Sequence, residues 1–279
     1  MIIKIVTDSS ADLTKEEVEK YGIRVIPLQI AYNGKSYLDQ VDITSAELLE
    51  EMDKHKHLPV TSQPSVETFT QVYDELTSDG SEVISIHLAA PLSGTVNTAF
   101  MVAGQYDGKV TIIDSAFISR ALAFQVIAAA EMAQAGKTVE EITARLKDIR
   151  GKTKLYVILD TLENLVKGGR IGKGKALIGS LMNIKPVAEL KDGEYTPLAK
   201  ARSHKRAIKQ LIEHVKVETG GKAVKAMEIV QADGLDLASR LKEKLKDLDP
   251  RMDVPVTETT PVISIHTGRG AAGLMFYTG

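Results

Sequence analysis

The chain has 279 residues, of which 43% are hydrophobic and 26% charged, with a formal net charge of -2; this is the composition of an ordinary globular protein long enough for two domains. The near-neutral charge gives no basis for nonspecific nucleic-acid binding, and the absence of cysteine excludes disulfides and thiolate chemistry and fits a reducing compartment. We find no signal-peptide pattern and no apolar run of membrane-spanning length, so we predict a cytoplasmic protein without stable membrane insertion.

The first half of the chain alternates predicted strands and helices. Thr14 and Thr44 begin capping boxes that predict helix starts, and Asn33-Gly34 predicts a hairpin turn. The predicted strands cover residues 2–6, 24–32, 83–88 and 110–113. Further helices are predicted at residues 66–76, from 95 and at 117–136. This alternation predicts an α/β domain over residues 1–152, with a mostly parallel sheet covered by helices.

The second half has a different pattern. A strand at 155–159 precedes a basic, glycine-rich stretch, and residues 185–190 and 195–201 form a predicted hairpin around Asp192-Gly193. The remaining predicted elements are helices at 204–217 and 235–248 and strands at 226–230, 254–260, 262–265 and 275–277. These elements predict an α+β domain over residues 153–279 with a largely antiparallel sheet.

The stretch from His87 to Thr95 predicts a strand, a tight turn and the start of a helix. The first N–H groups of a helix lack partners and carry partial positive charge, so this turn is suited to an anion. Ser93 and Thr95 add hydroxyl groups, and Gly94 lets a ligand approach the backbone. Ser93 has two other interpretations, a helix cap or a hydrolase nucleophile, but the Gly-x-Ser-x-Gly pattern of many hydrolases is absent. We favour an anion ligand and expect a carboxylate with a long apolar tail.

The glycine-rich stretch Gly169–Lys175 nearly matches a phosphate-binding P-loop. Ala176 stands where the P-loop has the Ser or Thr that holds magnesium, and the residues before the stretch look helical rather than extended. We therefore reject a nucleotide site. A solvated basic turn and a cationic loop at a domain junction both remain open.

Other polar residues have structural interpretations beside functional ones. His55 and His57 suggest a metal, but a helix end explains them and no third ligand is near, so we predict no metal. Helix N-capping likewise explains the aspartates that end predicted strands, namely Asp8, Asp114 and Asp160. His266 follows a predicted strand and precedes two glycines, and both a site role and a core or turn role remain open.

The order and spacing of seven short motifs resemble the DegV family, the fatty-acid-binding subunits of the bacterial fatty acid kinase, over nearly the whole chain. The motifs are Val6-Thr-Asp-Ser-Ser-Ala-Asp12, Thr61-Ser-Gln-Pro-Ser65, Leu92-Ser-Gly-Thr95, Asp114-Ser115, Gly168-Gly-Arg-Ile171, Ile184-Lys-Pro186 and His266-Thr-Gly268. Each motif is weak alone, but together they are highly specific.

The resemblance implies a two-domain α/β protein with a fatty acid buried between the domains. It implies that Thr61 and Ser93 hold the carboxylate, supported by the Gly94 amide and with His266 nearby. It also places Arg170 and Arg202 near the head group or on the surface that docks the kinase. This chain departs from the family at Arg269, where many relatives have proline, so the shape and charge of that loop differ from the family pattern.

The favoured hypothesis is a non-catalytic carrier without cofactor or metal. It buries a long-chain fatty acid and presents the carboxylate to a partner ATP-dependent fatty acid kinase, giving acyl phosphate for phospholipid synthesis. One alternative is a serine-dependent esterase or acyltransferase that uses Ser93 and His266. The other is a lipid-sensing regulatory protein that uses the same pocket.

Overall fold

The computed structural model describes residues 2–55, 57–175, 184–250 and 252–279. It divides into two compact units, the first made of residues 1–42 and 61–151 and the second of residues 43–60 and 152–279. The sequence analysis assigned residues 43–60 to the first domain by their position in the chain. In the structure they pack within the second unit, because their helix contacts a helix near the end of the chain.

A four-stranded parallel sheet forms the centre of the first unit. Its strands are β1 (Ile3–Asp8), β2 (Arg24–Ile26), β6 (Glu82–His87) and β7 (Val110–Asp114), in the order β2-β1-β6-β7. The order reverses between β1 and β6, which is where open α/β sheets place ligands, beyond the carboxyl ends of the strands. All three strand pairs are parallel, as the sequence predicts.

Helices cover this sheet on both faces, because right-handed crossovers that leave the centre in opposite directions lie on opposite faces. Phe69, Val72, Ala99 and Val102 pack against Val6 on one face. On the other face the helix Ser119–Gln134 packs against β1 and β6. The helices of this unit are α1 (Lys15–Tyr21), α3 (Val66–Thr77), α4 (Thr95–Ala103), α5 (Ser119–Gln134) and α6 (Val139–Lys152), the last of which ends at the unit boundary.

The predicted strand at 24–32 is two strands, interrupted at Pro27. The second part belongs to a separate small sheet in the order β4-β3-β5, made of β3 (Gln29–Tyr32), β4 (Lys35–Leu38) and β5 (Val60–Ser62). Asn33 and Gly34 both have positive φ and join β3 to β4, so the predicted hairpin turn is confirmed. The capping boxes at Thr14 and Thr44 are confirmed as well.

A six-stranded sheet forms the second unit, and all its strand pairs are antiparallel except the last. Its order is β10-β9-β8-β13-β11-β12. The strands are β8 (Thr153–Ile158), β9 (Lys185–Lys191), β10 (Glu194–Ala201), β11 (Val224–Ala232), β12 (Val256–Glu258) and β13 (Ala271–Thr278). The predicted hairpin is confirmed as β9 and β10.

Two of the five helices in the described part of the second unit pack against this sheet. Ile208, Leu211, Leu237 and Leu241 join its main apolar core. The helices are α2 (Ser45–Lys54), α7 (Glu163–Lys167), α8 (His204–Thr219), α9 (Leu235–Leu245) and α10 (Pro261–Thr267).

One predicted strand of this unit, at 262–265, is wrong, since these residues lie in α10. Thr260 has an extended backbone before the helix, and Pro261 at its first position has a φ suited to a helix start. A short apolar run such as Val262–Ile265 fits a buried helix as well as a strand.

The α/β fold class predicted from the sequence is confirmed. Among the residues that the structure describes, no helix is both long and apolar enough to cross a membrane.

Candidate functional site

The turn between β6 and α4 carries Ser93 and is fixed to its neighbours by backbone hydrogen bonds. Leu88 N–H donates to Asp8 Oδ2 at 3.0 Å, and Ala89 N–H donates to the Phe117 carbonyl at 2.9 Å. The turn therefore lies at the carboxyl ends of β1, β6 and β7, where the first unit gathers its polar residues. Ser93 itself is partly exposed, which leaves its hydroxyl within reach of a ligand.

Ser93 and Gly94 form the N-terminal approach to α4. Ser93 Oγ accepts the Thr95 N–H at 3.3 Å and lies 2.9 Å from Thr95 Oγ1. Gly94 is the N-cap residue and provides no side-chain cap for the helix. The structure thus brings together a serine hydroxyl, a glycine backbone and the start of a nine-residue helix. This is the arrangement that the sequence predicts for this turn.

Thr61 lies on β5, two residues before Gln63. The side-chain amide of Gln63 packs directly against Gly94 and donates from Nε2 to Thr98 Oγ1 at 2.6 Å. The Thr61-Ser-Gln-Pro-Ser65 motif therefore approaches the α4 start through Gln63, a residue to which the sequence analysis gave no role of its own.

A buried polar relay lies beneath the turn, and the sequence analysis missed it. Asp8 Oδ2 is 3.0 Å from His87 Nδ1, His87 Nε2 is 2.7 Å from Ser85 Oγ, and Tyr73 donates its hydroxyl proton to Ser85 Oγ at 2.9 Å. All four side chains are fully buried. The alternation of Ser85 and His87 on one face of a strand was the available sequence signal.

The partners of the relay assign its protons. Ser85 Oγ accepts from Tyr73, and the His87 tautomer with its proton on Nδ1 donates to Asp8 and lets Ser85 donate its proton to Nε2. Asp8 Oδ1 also accepts the N–H of Ser10 at 3.1 Å and its hydroxyl at 2.5 Å. Burial raises the pKa of the Tyr73 hydroxyl above its ordinary value. The arrangement of acid, histidine and serine is that of a hydrolase triad, but a substrate has no access to Ser85.

His266 lies in the last turn of α10, not at a strand end as the sequence predicts. The ring contacts Gly168, and the α7 side chain Asn164 donates to the Ile265 carbonyl at 2.9 Å, which fixes this end of α10. Burial, together with the positive charge of Arg170, lowers the pKa of His266 to about 4. The imidazole is therefore neutral at pH 7.

Arg170 lies in the turn after α7, where its guanidinium donates to the Gly168 carbonyl at 2.6 Å. Gly168 needs to be glycine, because a Cβ there would overlap the His266 ring. The structure thus brings Arg170 and His266 together. Arg202 lies apart from them in sequence, exposed in the link between β10 and α8.

Arg269, where the sequence analysis expects proline in many relatives, is paired with carboxylates. Its guanidinium bonds Asp53 of α2 at 2.9 Å and also bonds Asp233. These contacts connect α2 to the loop that follows α10. The charge of Arg269 is thereby balanced locally within the second unit.

Asp160 is not a helix cap, so that prediction is wrong. It forms an ion pair with Lys185 and accepts from His204 Nε2 at 3.1 Å. Asp8 is a helix cap, because it accepts the Ser10 N–H at the start of the short 3-10 helix Ser9–Ala11. Asp114 accepts the Ala116 N–H in the turn before α5, whose N-cap residue is Ile118, so the capping prediction is wrong there as well.

The glycine-rich stretch lacks the setting of a P-loop. It follows the helix α7 rather than a strand, and Gly172 and Gly174 pack closely against the backbone and ring of Tyr195. Close packing accounts for these two glycines. Ala176 lies outside the described residues.

Metal ligation has no structural basis within the described ranges. The rings of His55 and His57 are 5.9 Å apart, but no group of three His, Asp or Glu side chains there is arranged to hold a metal ion.

These features define a class of protein: an α/β protein with a hydroxyl-lined helix start at its sheet edge and a neutral histidine beside an arginine. The DegV family, described as "Uncharacterised protein, DegV family", has a sequence model that matches residues 2–279. The chain belongs to the DegV family.

Relatives extend over the whole chain. A DegV domain-containing protein of Listeria innocua is 43% identical over 277 residues, covering 99% of both chains. The structure of a DegV family protein from Thermus thermophilus, described as showing fatty acid binding, matches with a TM-score of 0.95 at 31% identity over 100% of each chain. DegV of Bacillus subtilis, described as a fatty acid binding protein, matches with a TM-score of 0.89 at 30% identity, also over 100% of each chain.

Proposed function

We propose that this protein binds a long-chain fatty acid and presents its carboxylate to a partner fatty acid kinase. The observation that carries the proposal is the hydroxyl-lined start of α4 in a chain that matches two fatty-acid-binding DegV structures over its whole length. The kinase step and its use in phospholipid synthesis extend the proposal by family resemblance.

The head group takes its donors from neutral groups in this proposal. Thr61 and Ser93 donate hydroxyl protons, and the Gly94 N–H and the α4 dipole add partial positive charge. His266 is neutral at pH 7 and contributes a hydrogen bond rather than a full charge. A carboxylate removed from water needs several such donors, because each missing partner is costly.

The acyl tail supplies most of the binding free energy. Burial contributes about 0.8 kcal/mol per methylene, so a chain of sixteen or eighteen carbons gives roughly 10 kcal/mol before binding costs. Affinity therefore comes mainly from the tail and orientation from the head group.

Phosphoryl transfer is assigned to the partner rather than to this chain. The glycine-rich stretch has neither the preceding strand nor the Ser or Thr of a P-loop. Arg170 and Arg202 are proposed to act near the head group or in docking the kinase. Both are cations that match an anionic ligand or partner surface.

Native mass spectrometry of the protein purified from a bacterial host tests the binding proposal. We expect one fatty acid per chain, because a buried lipid co-purifies with its carrier. A lipid-free protein that also fails to bind added palmitic acid would contradict the proposal.

Incubation of the fatty-acid-bound protein with a bacterial fatty acid kinase and ATP tests the proposal that the carboxylate is presented to a kinase. We expect acyl phosphate, and none when either protein is omitted. Tight lipid binding without acyl phosphate would favour the lipid-sensing alternative. Turnover of an ester by the protein alone, lost in Ser93→Ala, would favour the esterase.

A further inference from the structure

Gln63 occupies the space beside the proposed head-group turn. A Cβ added at Gly94 would overlap the Gln63 amide oxygen, so the two residues are in direct contact. A Cβ at position 94 would force the Gln63 amide to move, whereas the Gly94 φ of -72° is open to any residue. The Gln63 amide therefore defines one wall of the space next to Ser93.

The amide is held in place although Gln63 as a residue is exposed. Its Nε2 donates to Thr98 Oγ1 at 2.6 Å, and Thr98 is buried in α4. An exposed glutamine ordinarily keeps its rotamer freedom, so a bond to a buried partner is what fixes this side chain. The wall beside Gly94 is thus formed by a side chain with a specific anchor.

The position of Gln63 in its motif places it with the proposed head-group donors. Thr61 lies on β5, and Gln63 follows the last residue of that strand, so the two residues are separated only by Ser62. A ligand oxygen that binds Thr61 and the Gly94 amide has the Gln63 amide as a neighbour. The next atom bonded to that oxygen would meet the amide.

We propose that Gln63 sets head-group specificity: it admits a free carboxyl group and excludes one enlarged by esterification. This inference rests on the proposed function. A single extra methyl group at a closed wall is typically disfavoured by about tenfold or more. The product of phosphoryl transfer is also larger than the acid, so the same contact favours release of acyl phosphate.

Two substitutions at this position separate volume from hydrogen bonding. Gln63→Ala removes the wall, and Gln63→Met keeps a side chain of similar length without the amide. Binding of palmitic acid and of methyl palmitate is measured on delipidated protein by displacement of a fluorescent fatty acid. Circular dichroism and thermal melting verify that each variant is folded.

We expect the wild type to prefer the acid over the ester, and Gln63→Ala to reduce that preference by about tenfold. Gln63→Met should fall between the wild type and Gln63→Ala, because its volume is retained while the bond to Thr98 is lost. An acid-to-ester ratio that is the same in Gln63→Ala as in the wild type, or a wild type that binds both equally, overturns the inference. Failure of the wild type to bind palmitic acid overturns the proposed function instead.

Discussion

Ser85 and Ser93 belong to one strand and the turn that follows it, but their surroundings differ. Ser85 is fully buried and bonded on both sides, by Tyr73 and His87. Ser93 is partly exposed, and its contacts are local ones to Thr95. The serine with a triad-like arrangement therefore stabilises the fold, whereas the serine without one is available to a ligand. Access, rather than residue type, separates the two roles.

The two histidines differ in the same way. His87 bonds the buried carboxylate Asp8, which holds the ends of β1 and β6 together. His266 lies beside the cation Arg170, which with burial keeps its ring neutral. A buried acid beside a histidine suits a fixed network, and a neutral ring at a helix end suits hydrogen bonding to a ligand.

The largest effect is expected for Asp8→Ala. The change leaves the buried N–H groups of Ser10, His87 and Leu88 without their acceptor, so the free energy of unfolding should fall by about 3–5 kcal/mol. Urea denaturation measures it. Asp79→Ala is the control, because Asp79 forms an exposed ion pair with Lys4, and its loss should lower the free energy of unfolding far less. Equal losses in the two variants would contradict the role of the relay.

Ser85→Ala should lower the free energy of unfolding by about 2 kcal/mol, since it leaves the Tyr73 hydroxyl and His87 Nε2 facing a methyl group. Fatty-acid binding should not change. A double-mutant cycle with Tyr73→Phe measures the coupling, which we expect to be at least about 0.5 kcal/mol. Strict additivity of the two substitutions would show that the bond contributes nothing.

Ser93→Ala should have the opposite profile. Loss of one donor to a buried carboxylate should weaken fatty-acid binding by about tenfold. The free energy of unfolding should change by less than about 1 kcal/mol, because only a local turn bond is lost. Displacement of a fluorescent fatty acid measures the first quantity and urea denaturation the second. Reduced stability with unchanged binding would assign Ser93 to the fold.

The smallest effect is a pH dependence that arises from His266. Its pKa is about 4 in the folded protein against 6.5 as the ordinary value. Between pH 6.5 and about pH 4 the unfolded chain binds more protons than the folded one, so the free energy of unfolding falls as the pH is lowered. From pH 7 to pH 5 the wild type should lose about 1 kcal/mol more than His266→Gln, after allowance for partial exposure of the ring. Parallel pH profiles of the two proteins in urea denaturation would exclude this titration.

Local patterns predicted much of the fold, because their causes lie within a few residues. The capping boxes at Thr14 and Thr44 and the hairpin turn at Asn33-Gly34 all formed as expected. The strand predicted at 262–265 was wrong, because a short apolar stretch fits a helix as well as a strand. Which of the two forms depends on the residues that pack around it. The prediction of one strand at 24–32 was wrong, because the strand is interrupted at Pro27. The proline is visible in the sequence, but its effect depends on how the strand pairs in a sheet.

The sequence by itself determined the alternation of strands and helices, the hydroxyl-rich helix start at Ser93 and the resemblance to the DegV family. Periodicity, caps and glycines encode these features locally. Only the tertiary structure decided that Ser85 is buried and Ser93 accessible, that Gln63 packs against Gly94, and that Arg170 lies beside His266. These are contacts between residues far apart in the chain, and burial and electrostatics depend on which distant residues pack around a group.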